Sequence, residues 1–418
     1  MQIELGFGKS MLPLVLPDSN VGQIIRANSF ETSFTEKEIL ESSINSPIQS
    51  NQLNEVIHPG EQVVIITSDI TRPIPSYKIL PILVDRLNYL GVNDGDITIV
   101  FGMGSHRKHK AEEQIALVGS ELYSRLRCLD SDPDDVIHLG NTSNGTPADI
   151  FRPVAEADKV ICLGNIEYHY FAGYSGGYKA IMPGVSTFAA IQKNHSLMVK
   201  PGAVAGNLLG NPVREDIDEI RRFINIDFLI NVVLDEHKRI IACFSGDPVK
   251  AHEAGCRYLD TINMVFLKKK ADIVVVSPGG YPKDINLYQA QKALDNAKYA
   301  IEEEGIVILV AECSEGLGGE IFEEWMVRYR NPHDMIVEIQ KNFILGGHKA
   351  AAIALILQTA KIFLVSTMPD ELVRNISMHP FQSVQAALDQ AIREKGPSAI
   401  VHVIPYGGSC LPRVEEGA

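Results

Sequence analysis

A glycine-rich turn carries the residues with the clearest chemistry. It runs from His169 to Lys179 as His-Tyr-Phe-Ala-Gly-Tyr-Ser-Gly-Gly-Tyr-Lys, and His195 follows sixteen residues later. A histidine can act as a base or bind a metal, and a lysine can pair with an anion or form a covalent bond. The spacing alone favours none of these roles. The aromatic residues are equally typical of a packed core in which His169 is a satisfied polar residue.

The same turn contains candidate cofactor-binding residues, namely Ser175, Gly176 and Gly177. Glycine accepts positive φ values and lets a backbone approach a ligand closely. The turn is therefore able to surround a phosphate or a planar ring.

Three predicted strands lead into residues that could form one site. The apolar run Val63 to Thr67 precedes Asp69 and Arg72, Asp96 to Phe101 precedes His106, and Lys159 to Gly164 leads to His169. Continuous apolar runs are typical of strands buried on both faces of a parallel sheet. Open parallel sheets bind ligands at the carboxyl ends of their strands. We therefore expect an active site at one edge of such a sheet.

The turn before His106 contains Gly102 and Gly104, which are further candidate cofactor-binding residues. A Gly-x-Gly pattern without a third glycine is a weak signal for a dinucleotide. A helix N-terminus that holds a single phosphate is the better interpretation. His106 and Arg107 are also compatible with a plain surface loop.

A fresh alternation of strands and helices begins near residue 266. A helix is predicted from Asn286 to Glu303, and Tyr288, Gln289 and Lys292 share a face in its first two turns. These side chains are suited to an anion, although a solvent-facing role fits equally well.

The predicted fold class is α/β, with two α/β domains, mainly parallel sheets and an active site in the interdomain cleft. The expected boundaries are 1–265 for an N-terminal catalytic and cofactor-binding domain and 266–418 for a C-terminal domain that supplies substrate-binding residues. The last ~15 residues could also fold back and belong to the N-terminal domain.

Composition excludes several classes of protein. The chain has 418 residues, 45% of them hydrophobic, and a formal net charge of −14, which argues against nucleic acid or an anionic membrane surface as a partner. Six cysteines without a close pair indicate neither a disulfide framework nor a thiolate zinc site. The absence of a signal-like segment and of a long apolar run favours a cytoplasmic protein.

Taken together, the motifs resemble the nickel-dependent lactate racemase family. The resemblance spans both predicted domains and rests on Asp69-Ile-Thr-Arg72-Pro, Gly-Ser-His106-Arg, His169 with Lys179, His195, and Tyr288-Gln289-Ala-Gln-Lys292. It implies a racemase or epimerase of small anionic 2-hydroxy acids. Its cofactor would be a nickel-pincer nucleotide, the nickel complex of pyridinium-3-thioamide-5-thiocarboxylic acid mononucleotide, which dedicated biosynthetic enzymes supply.

The resemblance also implies a role for each matching residue. Lys179 would tether the cofactor covalently and His195 would be the protein's nickel ligand. His106 and His169 would exchange the hydroxyl proton, one for each enantiomer, while hydride moves to the cofactor. The residues that would hold the substrate carboxylate are Arg72, Gln289 and Lys292. Those that would support the pocket are Asp69 and Tyr288.

One departure from the family pattern concerns substrate size. Lactate-specific members carry a tryptophan near the small substrate, whereas this chain has Gly346-Gly347-His348-Lys349 in the corresponding region and its one tryptophan, Trp325, well before it. This difference leaves the identity of the substrate open between lactate and a bulkier acid or one with a second carboxylate.

Two alternatives use the same residues. A divalent-metal hydrolase or lyase would use His106, His169 and His195 as three ligands. A non-catalytic protein would bind a hydroxy acid or nucleotide between its domains.

Overall fold

A computed structural model describes residues 1–28, 32–72, 74–235 and 237–415, so Pro73 of the first motif lies outside the described residues. The strands are β1 (Gln2–Phe7), β2 (Ser10–Val15), β3 (Val21–Ile24), β4 (Val63–Ser68), β5 (Ile97–Gly102), β6 (Arg127–Asp130), β7 (Val136–Asn141), β8 (Pro147–Phe151), β9 (Lys159–Asn165), β10 (Tyr168–His169), β11 (Gly173–Tyr174), β12 (Phe228–Leu234), β13 (Ile240–Gly246), β14 (Met264–Leu267), β15 (Ala271–Val276), β16 (Ile301–Val310), β17 (Ala360–Val365), β18 (His379–Phe381), β19 (Val401–Ile404) and β20 (Leu411–Val414).

The α-helices are α1 (Glu36–Asn45), α2 (Leu53–Val56), α3 (Ser76–Tyr89), α4 (Ala111–Val118), α5 (Ser120–Arg125), α6 (Arg152–Ala155), α7 (Phe188–His195), α8 (Pro212–Glu219), α9 (Lys250–Asn263), α10 (Leu287–Ala297), α11 (Glu320–Arg328), α12 (Pro332–Lys341), α13 (Gly347–Leu357), α14 (Asp370–Asn375) and α15 (Val384–Lys395). A short 3₁₀ helix at Gly177–Ala180 contains Lys179.

The chain divides into two compact units. We call Phe30–Asp260 the central unit, and Met1–Ser29 together with Thr261–Ala418 the terminal unit. Each unit is an α/β structure around a mainly parallel sheet, which confirms the predicted α/β class with two domains and mainly parallel sheets.

The central unit is built on a sheet with the strand order β13-β12-β9-β4-β5-β6. Its strands are parallel except for β13, which pairs antiparallel with β12. Ile65, Ile99, Ile161 and Ile230 are fully buried in this sheet and belong to the same core as α3. The apolar runs form strands here because both faces of the sheet are covered.

The terminal unit has a parallel sheet with the strand order β18-β17-β16-β15-β19-β3. Helix α10 follows β15, and its first turn is capped by the Asn286 side chain, which accepts a hydrogen bond from the backbone N–H of Gln289. The helix ends at Ala297, earlier than predicted, because Ile301 begins the next strand, β16.

The first residues of the chain lie in the terminal unit, which differs from the predicted boundaries of 1–265 and 266–418. Strand β3 pairs with β19, and Ile25 donates a backbone hydrogen bond to Val403 (2.8 Å). Leu5 and Leu14 are fully buried in the core of the C-terminal sheet. Burial of these leucines offsets the cost of closing a long connection.

The end of the described chain also stays in the terminal unit. Strand β20 pairs in parallel with β14, and Asn296 donates a side-chain hydrogen bond to the carbonyl of Gly407 (2.7 Å). The return of the last residues to an N-terminal domain is therefore not observed up to residue 415. None of the helices in the described ranges has the length and apolarity needed to span a bilayer.

Candidate active site

The candidate site of the central unit lies at a reversal of strand order. The chain runs from β4 to β5 and β6 on one side of the sheet, then continues with β9, β12 and β13 on the other. Because the carboxyl ends of parallel strands face a crevice where the order reverses, such a point is suited to binding a ligand. Asp69 and Arg72 follow β4, His106 follows β5 and His169 follows β9, which are three neighbouring strands.

Asp69 and His106 form a hydrogen-bonded pair in this crevice. Nδ1 of His106 lies 3.2 Å from Oδ1 of Asp69, which also accepts the backbone N–H of Thr71 (2.8 Å). Burial alone would raise the pKa of Asp69, but the hydrogen bonds from His106 and Thr71 outweigh it and lower the pKa to about 2. An ionised Asp69 can only accept, so the His106 proton lies on Nδ1, and Nε2 is the nitrogen suited to act as a base.

Arg72 lies on the same turn as Asp69. Its Nε is 4.0 Å from Oδ2 of Asp69, and about half of its side chain (49%) is exposed. This separation is longer than a hydrogen bond, so the guanidinium keeps N–H donors for a second anion. A planar guanidinium can grip a carboxylate with two parallel hydrogen bonds.

His109 is a supporting residue that sequence analysis missed. Its Nδ1 lies 2.7 Å from Oδ1 of Asp130, and its Nε2 accepts the backbone N–H of Ile70 (3.0 Å). The side chain is 1% exposed, so His109 holds the turn between Asp69 and Arg72 from the protein interior. The available signal was a second histidine three residues after His106 in the same loop.

The turn from His169 to Lys179 is held mainly by buried polar groups. Gly176 and Gly177 have φ values of 80° and 60°. A Cβ atom on Gly176 would overlap Asn231, and one on Gly177 would lie only 3.0 Å from the His252 ring. The Ser175 hydroxyl donates to the carbonyl of Asn165 (2.7 Å) and accepts the N–H of Glu167 (2.9 Å). The two glycines and this serine therefore shape the turn itself.

His169 and Lys179 lie close enough to influence each other electrostatically. Burial, and after it the charge of Lys179, lowers the pKa of His169 well below its ordinary value. Burial also lowers the pKa of Lys179 strongly, with further contributions from the charges of Arg214 and Arg72. Such shifts favour a neutral imidazole and a neutral, nucleophilic amine.

The orientation of the His169 ring differs from that of His106. Nδ1 of His169 accepts the backbone N–H of Ala172 at 3.2 Å. Because a backbone amide can only donate, the proton of the neutral ring lies on Nε2.

His195 lies at the end of α7 and is oriented by its neighbour. Nδ2 of Asn194 donates to Oδ2 of Asp216 (2.8 Å) and to the carbonyl of Val213 (3.1 Å), so Oδ1 of Asn194 accepts from Nδ1 of His195 (3.0 Å). This arrangement makes Nε2 the nitrogen suited to a metal, because ligand histidines donate their other N–H to a supporting group. Phe171 packs edge-on against both His195 and His169.

Gly102 and Gly104 bring the His106 turn against the segment that follows Lys179. Gly104 donates its backbone N–H to the carbonyl of Gly184 (2.9 Å), and a Cβ on Gly102 would lie 3.2 Å from the Gly184 Cα. These glycines therefore join two parts of the candidate site by close backbone packing.

The remaining candidate residues lie in the terminal unit. Tyr288, Gln289 and Lys292 are on the first two turns of α10, where Gln289 and Lys292 are exposed. The Tyr288 ring packs edge-on against Phe322, and the buried ammonium of Lys349 donates to the Tyr288 carbonyl (2.6 Å) and lies 3.8 Å from the ring centre. The ring of Tyr288 is therefore fixed by contacts on both sides.

Trp325 is closer in space to the Gly346–Lys349 segment than the sequence indicated. Its indole packs on Gly347, where an added Cβ would lie 2.7 Å from Cε2 of Trp325. Helices α11 and α13 pack together, which brings Trp325 next to Gly347 although the two residues are far apart in sequence. A tryptophan therefore does lie beside Gly347 in space, and the substrate preference inferred from this segment stays a prediction.

In the described ranges, no three or more His, Cys, Asp or Glu side chains are grouped so that they could hold a metal ion. The three-histidine alternative requires such a group. A single imidazole at His195 instead suits a metal whose other ligands come from a cofactor.

Comparisons with known proteins cover almost the whole chain. Residues 7–206 match the family model for the lactate racemase N-terminal domain, and residues 266–411 match that for the lactate racemase C-terminal domain. The lactate racemase of Thermoanaerobacterium thermosaccharolyticum is 32% identical over 98% of this chain and 99% of its own length. That of Lactiplantibacillus plantarum is 33% identical over 97% of this chain and 98% of its own length.

Solved structures agree with these matches. The lactate racemase apoprotein from Thermoanaerobacterium thermosaccharolyticum superposes with a TM-score of 0.90 at 32% identity, covering 99% of this chain and 100% of that one. A Thermotoga maritima protein of known crystal structure has a TM-score of 0.65 at 18% identity over 91% of this chain and 98% of its own, and shares the fold alone. Because both domain models and near-full-length relatives match, the chain belongs to the lactate racemase family.

Proposed function

We propose that this member of the lactate racemase family is an isomerase that interconverts the two enantiomers of a small 2-hydroxy acid. The observation that carries the proposal is the arrangement in the central unit. His106 and His169 follow neighbouring strands, with His106 hydrogen-bonded to the Asp69 carboxylate and His169 half-buried. Lys179 has a lowered pKa, and the ring of His195 is oriented by its hydrogen bond to Asn194.

The cofactor we propose is the nickel-pincer nucleotide. Lys179 would tether it, and His195 would bind the nickel through Nε2. When bound, the cofactor would supply an electron-poor centre that accepts a hydride and returns it. A single imidazole beside sulfur ligands suits nickel in a tetragonal arrangement, which fits the donors that the chain offers.

The two histidines would accept and return the hydroxyl proton of the substrate. The hydrogen on carbon 2 beside a carboxylate is very weakly acidic, so its loss as a hydride avoids a dianion. A base must take the hydroxyl proton at the same time, and imidazole is efficient near neutral pH. The enantiomers present their hydroxyl groups from opposite sides. His106 and His169 would each serve one of them, with Asp69 orienting His106.

The cations would hold the acid while it reorients. Loss of hydride and proton leaves a planar 2-keto acid, which must turn before it is reduced on its other face. Arg72 would hold its carboxylate by two hydrogen bonds, and Gln289 and Lys292 would add a donor and a charge. Tyr288 would support these two residues, because its own ring is fixed by Phe322 and Lys349.

The direct test supplies the cofactor and follows chirality. The protein is produced together with the cofactor-making enzymes and incubated with a panel of 2-hydroxy acids that begins with lactate and includes acids with larger side chains or a second carboxylate. We expect racemisation of at least one acid by chiral chromatography. Racemisation of none of them by nickel-loaded protein would contradict the proposal.

The tether has an independent readout. Intact-mass measurement should show a cofactor adduct that disappears in Lys179→Ala and persists in Lys200→Ala, an exposed lysine outside the site. An adduct that persists in Lys179→Ala would contradict the proposed attachment.

The roles of the terminal-unit residues are tested through KM. Lys292→Ala should raise KM for the acid by roughly tenfold or more, because a charge-assisted contact to the carboxylate is lost. The control is Lys341→Ala, a lysine at the end of α12. An unchanged KM in Lys292→Ala would exclude Lys292 from substrate binding.

A further inference from the structure

Arg214 on α8 is a buried arginine that sequence analysis did not single out. The residue is only 1% exposed. A guanidinium removed from water needs acceptors for its N–H groups, because an unsatisfied buried charge is strongly unfavourable. Its one ion-pair partner among the described residues is Asp218, with Nη1 3.4 Å from Oδ1 and about a third (31%) of the carboxylate side chain exposed.

Among the described residues, the other acceptors of Arg214 belong to the turn between His169 and Lys179. Nε donates to the carbonyl of Ala172 (3.4 Å), Nη1 to that of Gly176 (3.4 Å) and Nη2 to that of Tyr174. These three carbonyls occur at alternate residues, so the planar guanidinium of Arg214 contacts the turn from Ala172 to Gly176. A lysine ammonium is a single point and cannot match this geometry.

Other buried groups hold the same turn at single points. Asn211 donates to the carbonyl of Phe171 (3.0 Å), Asn231 accepts the N–H of Gly177 (2.9 Å), and His252 contacts the carbonyl of Ser175 (2.8 Å). Arg214 differs from them because it contacts three residues and carries a charge. That charge contributes to the lowered pKa of Lys179, after burial.

We infer that Arg214 is a positioning residue that fixes the distance between the His169 ring and the Lys179 amine by holding the three carbonyls between them. The inference rests on the proposed function, since it assumes that both residues act at one cofactor. It requires that Arg214 itself contact neither substrate nor cofactor.

The first arm of the test uses the apoprotein and needs no cofactor. Acetylation of Lys179 by acetic anhydride is followed against pH by peptide mass spectrometry in the wild type, Arg214→Gln and Arg214→Lys. The other charged or titratable groups that face Lys179 are Arg72, Glu167, His169 and His252. Arg214→Gln removes one nearby positive charge, so the midpoint of labelling should move to higher pH. Arg214→Lys keeps the charge, so its midpoint should stay closer to that of the wild type.

The second arm uses the cofactor-loaded enzyme. Arg214→Lys should lower kcat roughly 10- to 100-fold with little change in KM, because a small misplacement of catalytic groups has a large cost. The control is Leu83→Ala in the core of α3, which lowers Tm without touching the turn. It should change neither the labelling midpoint nor kcat.

Two results would overturn the inference. One is a labelling midpoint in both Arg214 variants equal to that of the wild type. The other is a kcat in Arg214→Lys that falls no more than in Leu83→Ala. If Arg214→Gln does not fold, Arg214→Lys alone decides through kcat. A wild-type enzyme that racemises none of the acids contradicts the proposed function, whereas a shifted midpoint still supports the placement of Arg214.

Discussion

The two candidate acid/base histidines are supported in opposite ways. His106 has a carboxylate behind it, because its Nδ1 donates to the ionised Asp69. His169 has a backbone amide behind it, since its Nδ1 accepts the N–H of Ala172. One ring therefore presents a basic Nε2 and the other an Nε2–H.

The difference shows that the hydrogen-bond partner of Nδ1 decides which ring nitrogen of each histidine can accept a proton. An incoming proton can reach the lone pair on Nε2 of His106 without breaking the hydrogen bond between Nδ1 and Asp69. A proton added to His169 must displace the Ala172 hydrogen bond and enter a region that already holds Lys179. We therefore expect His106 to take the hydroxyl proton directly, whereas His169 can serve the other enantiomer only after its hydrogen bond to Ala172 breaks.

The largest expected effect is an unequal loss of activity in two glutamine variants. His106→Gln removes a base and should lower kcat by roughly 10²- to 10⁴-fold. His169→Gln removes the base for the other enantiomer but keeps an N–H donor, so it should lower kcat by a smaller factor, about tenfold or more. Initial rates measured from each enantiomer by chiral chromatography compare the two.

A surface pair supplies the control for this comparison. His138 also pairs with a carboxylate, with its Nδ1 2.7 Å from Oδ1 of Asp149, but its side chain is 54% exposed. His138→Gln should leave the rate unchanged. Equal losses in His106→Gln and His169→Gln would show that the two histidines exchange protons alike.

Much of this site was predictable because it follows buried strands. The apolar runs before Asp69, His106 and His169 indicated parallel strands, and the carboxyl ends of such strands face one crevice. The residues that orient the site were not predictable in the same way. Arg214 and Asn194 act through tertiary contacts, and their positions on helices have no local pattern that distinguishes them from ordinary polar residues.

The division of the chain into two units could also not be predicted from local sequence patterns. Strand β3 pairs with β19, almost four hundred residues away in sequence, and no periodicity encodes such a partner. Trp325 teaches the same lesson, because its contact with Gly347 depends on how α11 and α13 pack. Elements could be predicted from local composition, whereas their partners depend on the packing of the whole unit.

The next largest effect concerns the carboxylate behind His106. Asp69→Asn should lower kcat by roughly 10- to 100-fold, because a group that orients a catalytic side chain is replaced by one that can donate to Nδ1 and reverse the tautomer. Asp149→Asn behind His138 is the matched control and should have no effect on kcat. A loss seen in KM alone would assign Asp69 to substrate binding instead.

Asp69 should also make stability depend on pH. Its pKa is lowered to about 2 in the folded protein, so its contribution is fully present above the unfolded value of about 4 and is lost as pH falls towards 2. The contribution is on the order of 2 kcal/mol. The difference in unfolding free energy between the wild type and Asp69→Asn should therefore shrink between about pH 4 and pH 2. A difference that stays constant over this range would contradict the lowered pKa.

The smallest effect is the most direct test, because it concerns a single proton on each ring. In ¹⁵N-labelled apoprotein, long-range proton–nitrogen spectra distinguish the two neutral tautomers, and the signals are assigned from His106→Gln and His169→Gln. We expect the Nδ1–H form at His106 and the Nε2–H form at His169. His169 should become charged only at a lower pH than an ordinary imidazole, because burial and the nearby Lys179 lower its pKa. The same tautomer at both residues would remove the asymmetry, and a His169 that becomes charged at the pH of an ordinary imidazole would show that the Ala172 hydrogen bond is already broken in the apoprotein.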